Sequence, residues 1–496
     1  MNKLYQIIFL WIKAFTLFFI FSKNYSQAKS FDFNSLENSV FIYNMSKNKI
    51  LYEKNPLQKL IPASVTKSLL AALLLDKSKQ LSEIKTSFYT NGEIQNGVLK
   101  GDLIFLGSGD PYLTNEKLWG FVTDLQRFGI EDIQGRLVIN NFLFSNISDD
   151  IDRKLGLVRS RNSYNSQLSS TAINFGVLAV TVTPKKNGQN AYLNMEPFLL
   201  PHFKIEGHVK TVSSEKNTHI NLERLTKNGT DIFSIRGQIS QTDPFTRIYR
   251  SVGQGELYTA EVLDAFLNSS GIKTNHKFIF SSAPLKNKDK FLISVSSYPI
   301  NYQINAMMNI SNNFIADMYT MKMAQENDLK INTLKQASTL IKNYVSEVTI
   351  KTKIKKNQPE DSSPYFESGS GLTATNRVSS YEIVSVLTHM FQNKKMFPIY
   401  YVSFPSPQDE GSTLRRRFEN FIQSPIIHAI RAKTGTLSDE AHVVTLAGYT
   451  RLENDDWISF SILLNDLSRS VPIEQMRKQL DDELSKFLTD SGNLKK

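Results

Sequence analysis

Apolar residues along this 496-residue chain fall into strand-length runs near both ends, with one longer block between them. The block is Leu69-Leu-Ala-Ala-Leu-Leu-Leu75, preceded by Pro62-Ala-Ser-Val-Thr-Lys67. A helix that is apolar on every side is a buried one, and proline is well tolerated in a first turn. The pattern therefore predicts a buried helix with Ser64 and Lys67 in its first turn. Ahead of it, Ser39–Tyr43 and Lys49–Glu53 alternate around the polar Asn44–Asn48 and predict a β-hairpin. Near the C-terminus, runs at Ile426–Thr436, Val443–Tyr449 and Trp457–Leu464 predict three antiparallel strands. The amphipathic stretch Ile473–Leu488 predicts a closing helix that packs on that sheet.

Between the ends the texture changes. Gly101–Leu106 and Arg136–Asn140 read as strands, and Asn115–Phe128 reads as a helix stopped by Gly129. Val177–Val182 is a strongly apolar strand, and residues 187–250 alternate in short runs separated by Asn, Ser, Thr and Gly. Tyr258–Ser269 is helical up to Gly271, and Leu292–Ser296 is a strand. Two helices follow, Tyr302–Ile310 and Phe314–Glu326, with Ser311-Asn312-Asn313 at their junction. Lys351–Gln358 reads as a solvated loop, Ser368-Gly-Ser-Gly-Leu372 as a tight turn and Ser379–Phe391 as a helix.

The composition, 41% hydrophobic and 21% charged, is that of a folded chain, and the length suggests two or three domains. Lys3 followed by the apolar Leu4–Phe21, with small residues at Ser26-Gln27-Ala28, reads as a secretory signal peptide over residues 1–28. Lys13 interrupts the run, so a retained anchor is the alternative. Cleavage removes three lysines and no acid from a formal net charge of +11. The remaining positive charge suits anionic envelope polymers better than nucleic acid, and peripheral contact with a membrane surface is an open alternative. The expected location is outside the cytoplasm, in the periplasm or cell envelope. The chain has no cysteine, which excludes disulfides, thiol catalysis and thiolate metal sites. Its seven histidines show no metal-ligand spacing, so no metal or cofactor is expected.

The chemistry gathers in three short motifs. A serine becomes a nucleophile when a base takes its proton, and Lys67, one turn beyond Ser64, shares its helix face. Ser-x-x-Lys alone is weak evidence, since Ser46, Ser82 and Ser213 also precede a lysine by three. Ser311 and Asn313 supply a hydroxyl for proton relay and an amide to hold a carbonyl. Lys433-Thr434-Gly435-Thr436 sets an ammonium beside two hydroxyls on a strand, and its glycine lets another backbone approach.

These motifs, in this order, resemble the penicillin-recognising serine acyltransferases. The long first gap, from Ser64 to Ser311, resembles the class C low-molecular-mass penicillin-binding proteins, D-alanyl-D-alanine carboxypeptidase/endopeptidases of the penicillin-binding-protein-4-like group. Gly107-Ser-Gly-Asp-Pro111, Ala172-Ile-Asn-Phe175, Gly369-Ser-Gly-Leu372, Thr413-Leu414 with Arg417, and Leu446-Ala-Gly-Tyr449 extend the resemblance over nearly the whole chain after residue 28. Two positions depart from the family pattern: Ser368 and Asn312 stand where aspartate is common.

The resemblance implies an α+β fold with a split β-lactamase/transpeptidase-like domain, an antiparallel sheet flanked by helices, made of residues 29–85 and 286–496. Two nested modules are expected in 86–285: a β-rich one at about 86–110 and 185–285, and an α/β one at about 111–184. It also implies roles. Ser64, Lys67 and Ser311 would be catalytic; Asn313, Lys433, Thr434, Gly435 and Thr436 would bind substrate. The partners would be peptidoglycan stem peptides and β-lactams. Two rivals keep the fold: a β-lactamase, and a non-catalytic peptidoglycan-binding protein. Against the first, Glu196-Pro-Phe-Leu199 is followed by Leu200 and not by the asparagine of a deacylation motif. Against the second, Ser64, Lys67 and Lys433 are intact.

Overall fold

A computed structural model describes residues 31–33, 36–78, 84–144, 161–327, 333–352, 354, 363–421, 424–439 and 441–492. The expected signal peptide lies outside them. One five-stranded antiparallel sheet draws on both ends of the chain. Its strands are β1 (Glu37–Asn44), β2 (Lys49–Lys54), β3 (Arg431–Leu437), β4 (His442–Arg451) and β5 (Trp457–Asp466), in the spatial order β3-β4-β5-β1-β2. Glu37 lies opposite Asn465 and Asn44 opposite Ile458, so the N-terminal hairpin completes a sheet begun by the C-terminal strands.

The strands β1, β4 and β5 are buried on both faces, which explains their long apolar runs. Val40 and Ile42 point to one side, with Phe460, Ile462 and the helix α6 (Ile473–Gly492), which contributes Met476, Leu480 and Leu484 at fourfold spacing. Phe41 and Tyr43 point to the other, into a core built around α1 (Thr66–Lys77). That core takes in α2 (Ile300–Asn309), α3 (Asn313–Glu326), α4 (Leu334–Thr352) and α5 (Ser380–Gln392), the last opened by a capping box between Ser379 and Glu382. All residues of α1 from Thr66 to Leu75 are buried. At about 1.5–3 kcal/mol for each buried leucine, this helix is fixed by its surroundings more than by its own propensity.

Several expectations change. Ser64 sits in a 3₁₀ turn, Ala63–Val65, and α1 starts at Thr66, because Ala63 takes a left-handed φ of 46° and turns the chain before the helix begins. The strand expected from Ile426 starts at Arg431, since Pro425 opens a helical turn, Pro425–His428. The loop expected from Lys351 is helical through Thr352, and most of its remainder lies outside the described residues.

The two inserted modules are also divided differently. Phe278–Ser281 and Leu103–Leu106 both pair in parallel with Leu137–Asn140; Lys85–Thr90 then links Leu103–Leu106 to Lys290–Ser296. The outer α/β sheet is thus built from residues 85–140 and 278–296. The β-rich part is nested inside it: Val177–Thr183 pairs with Tyr192–Glu196 and Thr246–Ser251, and Phe203–Val212, His219–Lys227 and Thr230–Ser240 form a further sheet. Local texture separated strands that non-local parallel pairing brings together.

The segment before β3 is tied to α6 by an ion pair. Arg417 donates through Nε and Nη2 to both carboxylate oxygens of Asp481 on α6, and both residues are buried. Burial pushes the Asp481 carboxyl up, and the guanidinium opposes this. Removing one partner leaves a buried charge unmatched. Arg417→Ala should cost about 3–5 kcal/mol in urea unfolding; a loss under about 1 kcal/mol would show that the pair is solvated.

Candidate active site

The start of α1 is held by side chains from four other segments. Asn465 on β5 accepts from Ile61 N and donates to Ile61 O. Thr445 on β4 donates to Pro62 O at 2.8 Å. Tyr400 donates to Ser68 O at 2.9 Å. Asn376 accepts the Glu367 and Ser368 N–H groups through Oδ1 and donates to Ser368 O and Thr66 Oγ1 through Nδ2, fixing the glycine-rich turn to the helix. At Gly371, with φ at 71°, an added Cβ would lie 1.9 Å from Ala63 O, so only glycine lets the turn pass so close to the serine.

Lys67 is fully buried, and its Nζ lies 2.9 Å from Ser64 Oγ, 2.7 Å from Asn313 Oδ1 and 2.6 Å from Ser370 O. The last two are acceptors only. A neutral amine satisfies both with its two hydrogens and turns its lone pair to the serine. With the amine neutral this is the geometry of a base poised on a hydroxyl; as an ammonium, Lys67 donates to all three oxygens.

Asn313 is oriented in turn: its Nδ2 donates to Tyr164 O at 3.0 Å. Asn312 caps α3 by accepting from Ile315 N at 3.0 Å, and Ser368 Oγ accepts from Gly371 N at 3.1 Å. At both departures from the family pattern, a polar side-chain oxygen receives a backbone N–H. Ser311, at φ 57°, and Ala63, at 46°, are non-glycine residues in the left-handed region. Such conformations cost on the order of 1–3 kcal/mol each and gather at functional sites.

A cleft of about 300 Å³ opens over this arrangement, lined by Ser64, Ser311, Asn313, Thr436, Tyr164 and Asp439 among others. Of the eight residues expected to act, these first four face it. Lys67 is buried beneath Ser64. Lys433 is also fully buried; its Nζ donates to Thr434 O at 3.1 Å, and burial lowers its pKa to about 7. Gly435 sits where an added Cβ would meet Thr445 Oγ1 and Pro62 O, and Lys433, two residues away, shares that inward strand face. β3 is the edge strand of the sheet; Ala432 N on it donates to Pro405 O at 3.0 Å, and Thr436 further along lines the cleft.

The sequence reading missed Tyr164, Ser370 and Asp317. The first two contribute backbone carbonyls, which any residue carries. Asp317, one turn after Asn313 on α3 and fully buried, accepts from Ser370 N at 2.8 Å. It holds the residue whose carbonyl holds Lys67.

A model of the D-Ala-D-Ala carboxypeptidase 3 (S13) family matches residues 29–487. The chain is 26% identical over 459 residues to the D-alanyl-D-alanine carboxypeptidase DacB of Haemophilus influenzae, covering 90% of each. The crystal structure of penicillin binding protein 4 (dacB) from Haemophilus influenzae superposes with a TM-score of 0.71 at 24% identity, over 91% of this chain and 97% of that one. The same protein complexed with a β-lactam gives 0.68 at 22% identity, over 93% and 96%. The fold is thus the α+β, transpeptidase-like class expected from the sequence.

Asp317→Ala should slow acylation of Ser64 by benzylpenicillin about tenfold and cost about 1–3 kcal/mol of stability by orphaning the Ser370 N–H. Asp317→Asn keeps an acceptor and should restore most of the rate; equal rates for the two variants in stopped-flow acylation would exclude the positioning role.

Proposed function

The chain belongs to the D-Ala-D-Ala carboxypeptidase 3 (S13) family, and from that premise we propose an exported serine DD-peptidase acting on peptidoglycan stem peptides in the cell envelope. The observation that carries the reading is the buried Lys67 amine, with two acceptors behind it and the Ser64 hydroxyl in front.

In this mechanism Ser64 Oγ attacks the carbonyl carbon between two D-alanines while its proton passes to Lys67 Nζ. The backbone N–H groups of Ser64 and Thr436 receive the developing oxyanion, a contribution of about 3 kcal/mol for each donor. The C–N bond then breaks. The proton returns through the Ser311 hydroxyl to the departing amine, leaving an ester on Ser64. Water hydrolyses that ester, restores the serine and releases the shortened peptide as a carboxylate. Asn313 and Thr436 hold the substrate backbone and its carboxylate side, with Thr434 and Gly435 shaping the strand edge. Lys433 contributes a positive field from beneath.

The same attack opens a β-lactam ring. The ring nitrogen stays tethered to the acyl group, so the leaving group does not diffuse away and the adduct persists. A D-Ala crossbridge presents the same carbonyl, which extends the reading to endopeptidase action.

Incubation with benzylpenicillin should add one drug-sized mass to the protein and none to Ser64→Ala; absence of an adduct together with absence of drug turnover would overturn the nucleophile. Lys67→Ala should slow acylation by about 10²–10⁴-fold, and a near-native rate would remove its role as base. As pH rises through about 7, Lys433 passes from cation to amine. The ratio of kcat/KM for a peptide ending in a free carboxylate to that for its amide-capped analogue should therefore fall between about pH 6 and 8. A flat ratio would exclude the electrostatic role.

A further inference from the structure

A second cavity, of about 400 Å³, lies in the inserted region, within the roughly 300–1,000 Å³ range of small-molecule sites. Its walls come from the end of the outer sheet, from Gln167 to Gly176, and from the segment Val252–Tyr258 that leads into the helix Gly255–Ser269. A short stretch of chain links it to the catalytic cleft. Tyr164 lines that cleft and its carbonyl fixes Asn313, while Gln167, three residues on, lines the second cavity. Three residues span at most about 11 Å.

Among the described residues, the lining is polar but holds no lysine, arginine or histidine. It offers three side-chain amides (Asn141, Gln167 and Gln254), the Ser169 hydroxyl and the Glu256 carboxyl, with the half-exposed ring of Phe280 beside them. Gln254 Nε2 is buried without a hydrogen-bond partner. Asn141 is preorganised, its Oδ1 accepting from Ser170 N and Ser170 Oγ. Burial raises the Glu256 carboxyl, and a hydrogen bond from Asn141 opposes this. A site with no cation gives no charge partner to a phosphate or carboxylate. A carboxyl beside amides and an aromatic ring instead matches a neutral ligand with hydroxyls, an acetamide and an apolar ring face.

We propose that this cavity is a second substrate subsite, taking an N-acetylated amino sugar of the glycan strand while the peptide branch of the same polymer reaches Ser64. The assignment rests on the DD-peptidase reading. A stem peptide has four residues between its sugar and the scissile carbonyl, a span of at most about 14 Å, which exceeds the reach of the chain from Tyr164 to Gln167 that joins the two linings.

The test uses the whole protein and a peptide-free probe, N,N′,N″-triacetylchitotriose. Ser64→Ala protein should bind the probe saturably in calorimetry, and adding Gln254→Ala or the cavity-filling Ser169→Trp should abolish binding. In kinetics, a disaccharide-pentapeptide should show a KM about tenfold below that of the bare pentapeptide. Either cavity variant should raise the sugar-bearing KM to the bare-peptide value while leaving bare-peptide turnover and benzylpenicillin acylation unchanged. Absence of probe binding with equal KM values for the two substrates would overturn the subsite, as would variants that impair both substrates alike. Benzylpenicillin labelling separates the two claims. Labelling without sugar discrimination removes the subsite alone, whereas failure to label removes the catalytic reading, and probe binding is then scored independently.

Discussion

Everything at the centre of this protein depends on keeping one amine dry and aimed. Lys67 sits in the buried part of its helix, where an amine without partners would be costly, and the acceptors behind it, Asn313 Oδ1 and Ser370 O, arrive from separate segments. Asn313 comes from the start of α3, and the Ser370 carbonyl comes from a turn that only glycines allow so near the serine. Around them, β4, β5 and the Phe397–Ser403 helix each contribute a side chain that holds the backbone of the Ser64 segment. Loss of any of these holds would leave the residues present and the lone pair misdirected.

Two lysine side chains thus lie under one cleft and are held differently. Lys67 Nζ lies against oxygens of Ser64, Asn313 and Ser370, and Lys433 donates to the carbonyl of the next residue in its strand. An amine close to half-charged near neutrality can lend positive field to a bound anion and yield that charge when the anion leaves. The strain at Ala63 and Ser311 belongs to the same design: each turns the chain sharply where a reactive hydroxyl must face the cleft.

What was legible in the sequence was what side-chain chemistry carries. Ser64 and Lys67 announced themselves by spacing and by the apolar block behind them, and the strands that frame them by their runs. What was hidden was carried by backbone. The carbonyls of Tyr164 and Ser370 leave no residue-type signature, and neither Ala63 nor Ser311 advertises a positive φ. The inward turn of Lys433 was available in principle, since strand alternation puts it on the face of Gly435, whose missing side chain marks close packing. Helix α4 was available too: Leu334, Ala337, Ile341, Val345 and Val348 recur at helical spacing. The division of the inserted region was not, because the parallel pairing of Leu137–Asn140 with Phe278–Ser281 joins distant segments that resemble any other short strands.

The sheet built from both chain ends also sets the order of events as the protein is made. The hairpin and the serine leave the ribosome early, but β3, β4 and β5 come late, and with them Thr445 and Asn465, which hold the serine's segment. Contacts of such sequence separation form slowly, after more local units such as the inserted sheets have had time to fold. The nucleophile is therefore synthesised inert. It acquires its reactivity only when the final strands dock, so a truncated or half-folded chain carries the catalytic residues without the power to acylate.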